Sequence, residues 1–478
     1  MEGGGTVVAP LGTTGSPPSP GVPPVGLSDD HMEELLRFTL SLAASPLSLS
    51  PDYCSRLLQP EPSPLSPLPL DGSENTFGGA PPHPLYKRLA RAIRRCIHSR
   101  SFSRSAGSVV ASIPLDESVK MKESDWDALI LDKGSELLSM FNAVDFELHV
   151  QEPFFSQLRA CLKTVEGRCA VGNYNRYPTI SSNLPKLFSF ILFLILGSFR
   201  CVLARMVPGS LILFNKCLLL EVQHVNRYGS FSEMLQAETL AKVLPGVATI
   251  NDGVQIYRKF YTEEKEMSNG VLAISVSKPT TQPYDSLAKL LSGLSYDGIA
   301  GLLGMAHTVG TVPDALPPPR SLLISSSMQP TRPTVEGCSL TDAARALSKH
   351  VNRSSSGWWG VLSGSESNKN RLALEVVIHL LNNCCWMNVH LIQPHGPVFE
   401  IRVPEGFGAR WSKDGLKDIA LDYVILKFTT SRLERFTASS AGERCQQDIS
   451  WRKKTCNSMS VKFEVLKVAG LSGKLSYW

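Results

Sequence analysis

The sequence predicts an α+β protein with a helical N-terminal region, a central β-rich module and a small α+β domain after it. Two observations predict this fold class. Short strand-like runs alternate with helical runs between residues 145 and 280, and a second such series lies between residues 339 and 416. A length of 478 residues leaves room for two or three domains.

Composition divides the chain into eight segments, because stretches rich in Gly, Pro and Ser alternate with stretches of regular hydrophobic periodicity. In chain order the predicted segments are a disordered lead (1–27), a helical segment (28–58), a Pro-rich linker (59–84), a helical region (85–144), the central module (145–280), a second linker (281–338), a small α+β domain (339–416) and a divergent, poorly ordered C-terminus (417–478).

Charge and cysteine content narrow the functional classes. The 48 Lys and Arg residues stand against 43 Asp and Glu residues, which permits a basic patch for an anionic partner without requiring one. The 11 cysteines lack any C-x-x-C spacing, which argues against a disulfide framework and against a zinc site of the usual spacing. Because no signal peptide is apparent in residues 1–27, we predict a nuclear or cytoplasmic protein. We also predict that it uses neither a metal nor a cofactor.

One apolar run, Leu187–Leu196, invites comparison with a membrane segment. Its ten residues are too few, because spanning about 30 Å of hydrocarbon takes roughly 20 residues in a helix. We therefore predict no membrane partner.

Three helices are predicted before the central module. Asp29–Leu42 places apolar residues at helical spacing behind two aspartates. Tyr86–Arg104 carries seven cations and no acid around a Leu and Ile stripe, which is typical of a basic amphipathic helix. Such a helix either contacts phosphates or is a solvated surface helix packed by its stripe. Ser124–Phe141 forms the third helix, with Ser124 as the expected N-cap.

The central module and the following domain are predicted from alternation and capping signals. Ser230 and Glu233 have the spacing of a capping box that starts a helix reaching Val243. The other elements of the module are Phe146–Val150, Phe154–Leu162, Leu211–Phe214, Leu218–Val225, Asn251–Lys265 and Val271–Val276. The domain after it contains helices Ser339–Val351 and Asn370–Leu381 and strands Trp386–Ile392, Val398–Val403 and Phe407–Trp411, with Trp358 and Trp359 either a stacking surface or structural aromatics.

A compact charged motif lies in the central module. Lys163, Glu166 and Arg168 bring two cations and one carboxylate within six positions. The guanidinium of Arg168 suits bidentate contact with phosphate or guanine. Glu166 either accepts from a base amino group or holds Arg168 in place, and an internal ion pair that fixes this connection is an equally open interpretation.

These residues reproduce the G-x-K-x-x-E-x-R signature of the ASCH domains, relatives of the PUA-like β-barrels, except that Cys161 replaces the Gly. The runs Leu211–Lys216, Tyr228–Leu235 and Ile256–Tyr261 also resemble that domain. The resemblance covers about residues 145–280, and the flanking regions resemble plant ASCH proteins as far as Lys417. It implies a PUA-like barrel, related to activating signal cointegrator proteins, with RNA binding and a role in transcription coactivation or RNA processing.

The resemblance also implies the site. We expect single-stranded or structured RNA as the partner, with protein partners also open, and a binding module rather than an enzyme. The expected RNA-binding residues are Lys163, Glu166 and Arg168 in the motif cleft, with Lys216, Tyr257 and Arg258 in support. Tyr257 and Tyr261, four apart on a helix, either stack on bases or belong to the core.

An amidohydrolase is the alternative function. Some small bacterial ASCH proteins hydrolyse an amide on a modified nucleoside with a Lys, a Thr and a Glu. Lys163, Thr164 and Glu166 offer the same residue types here, although their spacing alone establishes no geometry.

Two segments interrupt the resemblance. Residues of about 177–206 are rich in Phe, Leu, Ile and Ser, and joining Arg176 to Val207 restores a short connection. Our hypothesis is a retained intron or a gene-model error. After Lys417 the resemblance stops, and we interpret the remainder as a frame-shifted or alternative C-terminus.

Overall fold

The computed structural model describes residues 26–42, 47–62, 79–104, 117–170, 206–308, 310–331, 339–351 and 357–417. The proposed insert, the Leu187–Leu196 run and the chain after Lys417 lie outside these residues. The chain divides into two compact units, one of residues 1–39 and 135–287 and one of residues 40–134 and 288–478. Each unit combines helices with strands, which confirms the α+β class.

The first unit contains a five-stranded sheet with the strand order β1-β3-β4-β5-β2. Its strands are β1 (Phe146–Leu148), β2 (Val165–Cys169), β3 (Leu211–Phe214), β4 (Leu218–Tyr228) and β5 (Val271–Ser277). β1 pairs with β3 in parallel, and the other neighbours are antiparallel. An irregularity in β4 between Val222 and His224 bends the sheet into an open half-barrel. The charged motif lies at and just before β2, at one edge of this sheet.

Helices of the described residues, in chain order, begin and end as follows. They are α1 (Asp29–Ser41), α2 (Pro51–Leu58), α3 (Leu85–Ser99), α4 (Glu117–Leu129), α5 (Ser135–Asn142), α6 (Phe154–Arg159), α7 (Phe231–Ala237), α8 (Leu240–Val243), α9 (Ile250–Arg258), α10 (Glu263–Asn269), α11 (Pro283–Leu302), α12 (Arg320–Ser327), α13 (Asp342–Val351) and α14 (Glu366–Asn383).

Several predicted helices differ from the structure in their bounds, and the helix predicted from Ser230 to Val243 is two helices, α7 and α8. Ser124 lies inside α4 and is no N-cap, because the good helix formers before it, such as Met121 and Lys122, extend the helix to Glu117. A π-helical turn then separates α4 from α5. The predicted helix Asn251–Lys265 is two helices, α9 and α10, because the Thr262 hydroxyl accepts the Lys265 N–H and starts a new one.

Helices also occur where the sequence indicates a linker. α11 and α12 both lie within residues 281–338. Leucines of α11, such as Leu287, Leu290 and Leu294, are fully buried. Burial of these side chains stabilises α11 as a packed helix, although the Gly and Pro content of the stretch indicates a linker.

The second unit contains a three-stranded antiparallel sheet of β6 (Trp386–Ile392), β7 (Gly396–Arg402) and β8 (Gly408–Ser412), close to the predicted strands. One face packs into a core that includes Val389, Phe399 and Trp411. The predicted apolar stripe of α3 is also buried, with Ile93 and Ile97 each 1% exposed. Because strand side chains alternate between faces, the other face of this sheet carries the polar residues of all three strands.

Across the described residues, we find no helix with the length and apolarity needed to span a bilayer.

Candidate functional site

Lys163, Glu166 and Arg168 form one ion-pair network, which we name the motif network. Lys163 Nζ lies 3.2 Å from Glu166 Oε2, and Arg168 Nε lies 2.9 Å from Glu166 Oε1. Glu166 and Arg168 share a face of β2 because strand side chains alternate. Glu166 therefore bridges the two cations.

Most of the motif network is buried. Lys163 is 2% exposed and Glu166 is 6% exposed. The Lys163 ammonium also donates to the carbonyl of Val165 at 2.8 Å and to that of Val243. Burial lowers the pKa of Lys163, and the nearby Glu166 carboxylate opposes this effect. Because an ammonium has three donors, these three acceptors satisfy Lys163 inside the protein.

Arg168 is the accessible member of the motif network. Its side chain is 20% exposed. One terminal nitrogen donates to the His149 carbonyl at 2.6 Å, while Nε faces Glu166. The guanidinium is thus held from two sides and reaches the surface with little freedom to rotate.

Tyr257 lies in the core next to the motif. It is 7% exposed, and its ring stacks on Phe231 with centroids 4.2 Å apart. Burial raises the pKa of Tyr257 well above its usual value. Phe231 covers one face of the ring and the side chain is buried, so these contacts favour the interpretation of Tyr257 as a core residue.

The other two expected residues belong to separate ion pairs. Lys216 pairs with Asp30, and that hydrogen bond raises the pKa of Lys216. Arg258 pairs with the buried Glu266, whose second oxygen accepts the Phe231 N–H at 2.5 Å. The structure therefore brings Lys163, Glu166 and Arg168 together but joins neither Lys216 nor Arg258 to them.

A second charged group lies on the polar face of the three-stranded sheet. We name it the sheet-face cluster, and its members are His390, Glu400, Arg402 and Arg410. Glu400 is 3% exposed and is its centre. Glu400 Oε2 lies 2.9 Å from both His390 Nε2 and Arg410 Nε, and Oε1 lies 2.7 Å from Arg402 Nε.

The strand register creates the sheet-face cluster. Arg410 stands directly opposite Glu400 on β8, while Arg402 is two residues further along β7. His390 is diagonal to Glu400, since Asn388 is the residue directly opposite on β6. All of these side chains therefore project from one face.

The charge state of Glu400 follows from its neighbours. Burial opposes ionisation of this carboxyl, but the hydrogen bond from His390 and the charges of Arg402 and Arg410 lower its pKa to about 2. Unlike Glu400, the three partners reach the surface, with side chains 15%, 18% and 16% exposed for His390, Arg402 and Arg410.

Sequence reasoning missed the sheet-face cluster, although a signal was present. Asn388 and His390 alternate with apolar residues on one predicted strand, and Glu400 and Arg402 do so on the next. Once the hairpin through Gly396 fixes the register, these four residues must share a face.

Trp358 and Trp359 pack against other side chains of the second unit. Trp359 is 5% exposed and belongs to the core, and Trp358 stacks on Phe407 with centroids 4.3 Å apart. These contacts favour the interpretation as structural aromatics.

Three comparisons relate the chain to known proteins. Residues 329–417 match the family described as the CdiA C-terminal tRNase toxin domain. All four members of the sheet-face cluster lie within this match. The match covers well under half of the chain. A search of curated proteins finds no match.

Two solved structures of small proteins are also similar to part of the chain. The crystal structure of hypothetical protein PH0355 is 30% identical, covering 28% of this chain and 98% of that one, with a TM-score of 0.21. The solution structure of protein PF0455 from Pyrococcus furiosus is 31% identical, with the same two coverages and a TM-score of 0.20.

Proposed function

We propose that this protein binds RNA. The observation that carries the proposal is the match of residues 329–417 to a family described as a tRNase toxin domain. Two surface arginines of the matched region, Arg402 and Arg410, lie on one sheet face. Planar guanidiniums are the side chains best suited to bidentate contact with phosphate.

A second RNA contact is proposed on the five-stranded unit, which we interpret as a PUA-like barrel of the ASCH type. Arg168 is the residue that meets RNA there, since it alone of the motif network has an accessible side chain. Lys163 and Glu166 act behind it by fixing the guanidinium. Lys216 and Arg258, each held in a separate ion pair, are supporting contacts in this proposal, and Tyr257 supports the packing.

The Arg168 contact is tested with the full-length protein and single-stranded RNA. We expect Arg168→Ala to weaken RNA binding about tenfold, the loss typical of one good bidentate contact. Filter binding or fluorescence anisotropy gives the Kd. Arg168→Lys keeps the charge but loses the fork, so we expect an intermediate Kd.

Lys265→Ala provides the matched control, since Lys265 is an exposed cation of the same unit on α10, which contacts β2 through Cys169, on the face opposite to Arg168. We expect this variant to bind like the wild type. Equal Kd values for Arg168→Ala and the wild type would remove Arg168 from the proposed surface. No RNA binding by the wild type would refute the function as a whole.

Amide hydrolysis on acylated nucleosides is the second candidate. It is favoured by one observation, the 3.2 Å contact between Lys163 Nζ and Glu166 Oε2, which brings together two of the residue types that this reaction uses. Incubation with N4-acetylcytidine and chromatography of released acetate test it. Acetate release that is lost in Lys163→Met would establish this activity in place of a purely binding role.

From the resemblance to ASCH domains we also propose a role in transcription coactivation or RNA processing, in the nucleus or the cytoplasm. Imaging of the tagged protein and recovery of crosslinked transcripts from cells address both proposals. A protein confined to another compartment, or free of crosslinked RNA, would contradict them.

A further inference from the structure

We propose that a cavity beside α13 and α14 of the second unit binds a methylated ammonium group, with Trp358 and Trp359 as its walls and Glu375 as its counter-charge. The cavity has a volume of about 470 Å³, which is within the range of small-molecule sites. Its lining includes no member of the sheet-face cluster or of the motif network. The inference therefore goes beyond RNA binding and does not depend on it.

The two tryptophans form a corner of the cavity. The ring centroids of Trp358 and Trp359 lie 4.6 Å apart, with the ring planes at 80°. Phe407 stacks on Trp358 and stands at 84° to Trp359, with centroids 5.1 Å apart. Because both rings of this stack are close and nearly perpendicular to Trp359, the stack stands edge-on against Trp359. Both indoles also line the cavity, so one group placed there can contact both of them.

Indole rings favour a cation as that group. The face of an indole carries the negative side of a quadrupole and attracts a positive charge that lies within about 6 Å of the ring centroid. Phe407 covers one face of Trp358, and the opposite face is left for a ligand. Trp359 is 5% exposed and is held by the core. The packing that makes these tryptophans structural also fixes them in place for a ligand.

One face of α14 supplies further walls of the cavity. The residues at positions i, i+3, i+4 and i+7 line it: Leu372, Glu375, Val376 and His379. Leu372 and Val376 are half-buried and apolar, whereas the Glu375 side chain is 57% exposed. Glu375 pairs with Arg371 on the same exposed helix surface, and such pairs contribute little to stability. A ligand cation can therefore approach this carboxylate at small cost.

The hydrogen-bonding groups of the cavity select among cations. A primary ammonium has three donors and is strongly hydrated. Among the described residues that line the cavity, the polar side chains are those of Glu375 and His379, too few to replace that hydration. A trimethylammonium group has no donor, and its methyl groups can bury apolar surface against Leu372 and Val376. These walls thus fit a quaternary ammonium better than a primary one.

The test is isothermal titration calorimetry of the full-length protein with three small ligands. Choline carries the trimethylammonium group, 3,3-dimethyl-1-butanol has the same shape without the charge, and ethanolamine has a primary ammonium. We expect choline to bind saturably and the uncharged alcohol to bind about tenfold or more weakly, since a cation–π contact in a desolvated site supplies that factor. Ethanolamine should also bind more weakly than choline.

Two tryptophan variants locate the binding site. Trp358→Ala should weaken choline binding about tenfold or more, because it removes one ring and its contact area. Trp386→Ala is the matched control. Trp386 lies on β6 of the same unit and has the Arg402 guanidinium 4.8 Å from its ring centre. It does not line the cavity, so we expect this variant to bind choline like the wild type.

A charge reversal at the rim keeps the test valid if Trp358→Ala does not fold. Glu375→Lys changes an exposed side chain, and the new positive charge should weaken choline binding about tenfold. Glu405→Lys makes the same change in net charge at an exposed position of the same unit that does not line the cavity. We expect Glu405→Lys to leave the Kd for choline unchanged.

A peptide that contains trimethyllysine, compared with its unmodified form, separates the two sources of the methylated group. Tighter binding of the modified peptide than of choline would assign a protein partner, and the reverse would assign a small molecule. The inference is overturned if neither cation binds saturably or if the uncharged alcohol binds as tightly as choline. Choline binding that Trp358→Ala and Glu375→Lys both retain would also overturn it. Each of these results leaves the proposed RNA binding to its own test.

Discussion

At the scale of single residues, the motif depends on packing as well as charge. Gly167 stands between Glu166 and Arg168 on β2, and a Cβ at this position would meet the Tyr257 hydroxyl and lie 2.7 Å from Met234 Cε. The signature leaves this position open, so the sequence alone does not reveal the constraint. Close approach of a tyrosine to the strand explains why a glycine suits it here.

We predict that Gly167→Ala lowers the free energy of unfolding by about 1–3 kcal/mol, the range for overpacked cores. The added methyl group has no space beside Tyr257 and Met234. Tyr257→Phe removes the nearest atom and should recover part of the loss. Urea denaturation of both single variants and the double variant gives the coupling, and strictly additive effects would contradict the proposed clash.

A second prediction concerns the acid stability of the sheet-face cluster. The pKa of Glu400 falls from 4.5 to about 2 on folding, so its contribution to stability is complete above about pH 4.5 and is lost as the pH falls through 2. This shift corresponds to roughly 3 kcal/mol. Glu400→Gln should flatten the dependence of the free energy of unfolding on pH between about 5 and 2, measured by urea titration at each pH.

Glu405→Gln is the control for that titration, because Glu405 follows β7 in the same domain and is not a member of the sheet-face cluster. An unchanged pH dependence in Glu400→Gln would show that the paired carboxylate is not linked to folding.

The two charged groups differ in how far sequence could predict them. Lys163, Glu166 and Arg168 are close in the chain, so a resemblance found them together. Glu400 and Arg410 are ten positions apart and meet only through the pairing of β7 with β8. Proximity across strands depends on register, and a shift of one residue would send Glu400 into the core.

At the scale of elements, capping residues decide where the helices break. The strands followed from alternation of apolar and polar residues. The helix interruptions were harder to predict, because apolar periodicity continues through them. Thr262 starts α10 by accepting a backbone N–H, and Thr239 interrupts the helix predicted to run to Val243 with a φ of +70°. A side-chain hydrogen bond at Thr262 and a positive φ at Thr239 outweighed periodicity at these two positions.

The predicted capping box at α7 offers a direct measurement. The Ser230 hydroxyl accepts the Glu233 N–H at 3.1 Å, and the Glu233 carboxylate accepts the Gly229 N–H at 2.8 Å. We predict that Ser230→Ala lowers the free energy of unfolding by about 1 kcal/mol. Ser232 is exposed and lies two residues after Ser230 on the same helix. Ser232→Ala should therefore change the free energy of unfolding by less than about 0.5 kcal/mol. Equal losses in both variants would indicate that the cap contributes nothing specific.

At the scale of the whole molecule, sequence predicted the α+β class but not the contents of residues 281–338. Glycine and proline content indicated a linker there, whereas buried leucines make α11 a packed helix. The reason is physical: α11 is kinked at Ser295, with a φ of +55°, and glycines at 293, 298 and 301 approach neighbouring side chains closely. Small residues here serve helix packing, which composition cannot distinguish from a loop.

The last prediction concerns the proposed insert at residues 177–206. Its flanks are anchored within the first unit, since the Ala170 N–H donates to Gly270 at 2.9 Å and the Gly209 N–H donates to Val222 at 2.8 Å. Joining Arg176 to Val207 leaves eleven residues between the end of β2 at Cys169 and the start of β3 at Leu211, which is below the roughly 12–15 residues at which loops without secondary structure become uncommon. If the insert contributes nothing to the fold, its deletion should leave the unfolding midpoint within about 2 °C of the full chain, a shift below about 1 kcal/mol.

Calorimetry of the full chain and the deletion variant checks this, together with the Kd for single-stranded RNA, which we expect to be unchanged. A deletion variant that unfolds without cooperativity would show that residues 177–206 belong to the folded unit. Because Glu166 and Arg168 of the motif network lie on β2, the last strand before the junction, a selective loss of RNA binding in a stably folded deletion variant would instead assign these residues to the binding surface.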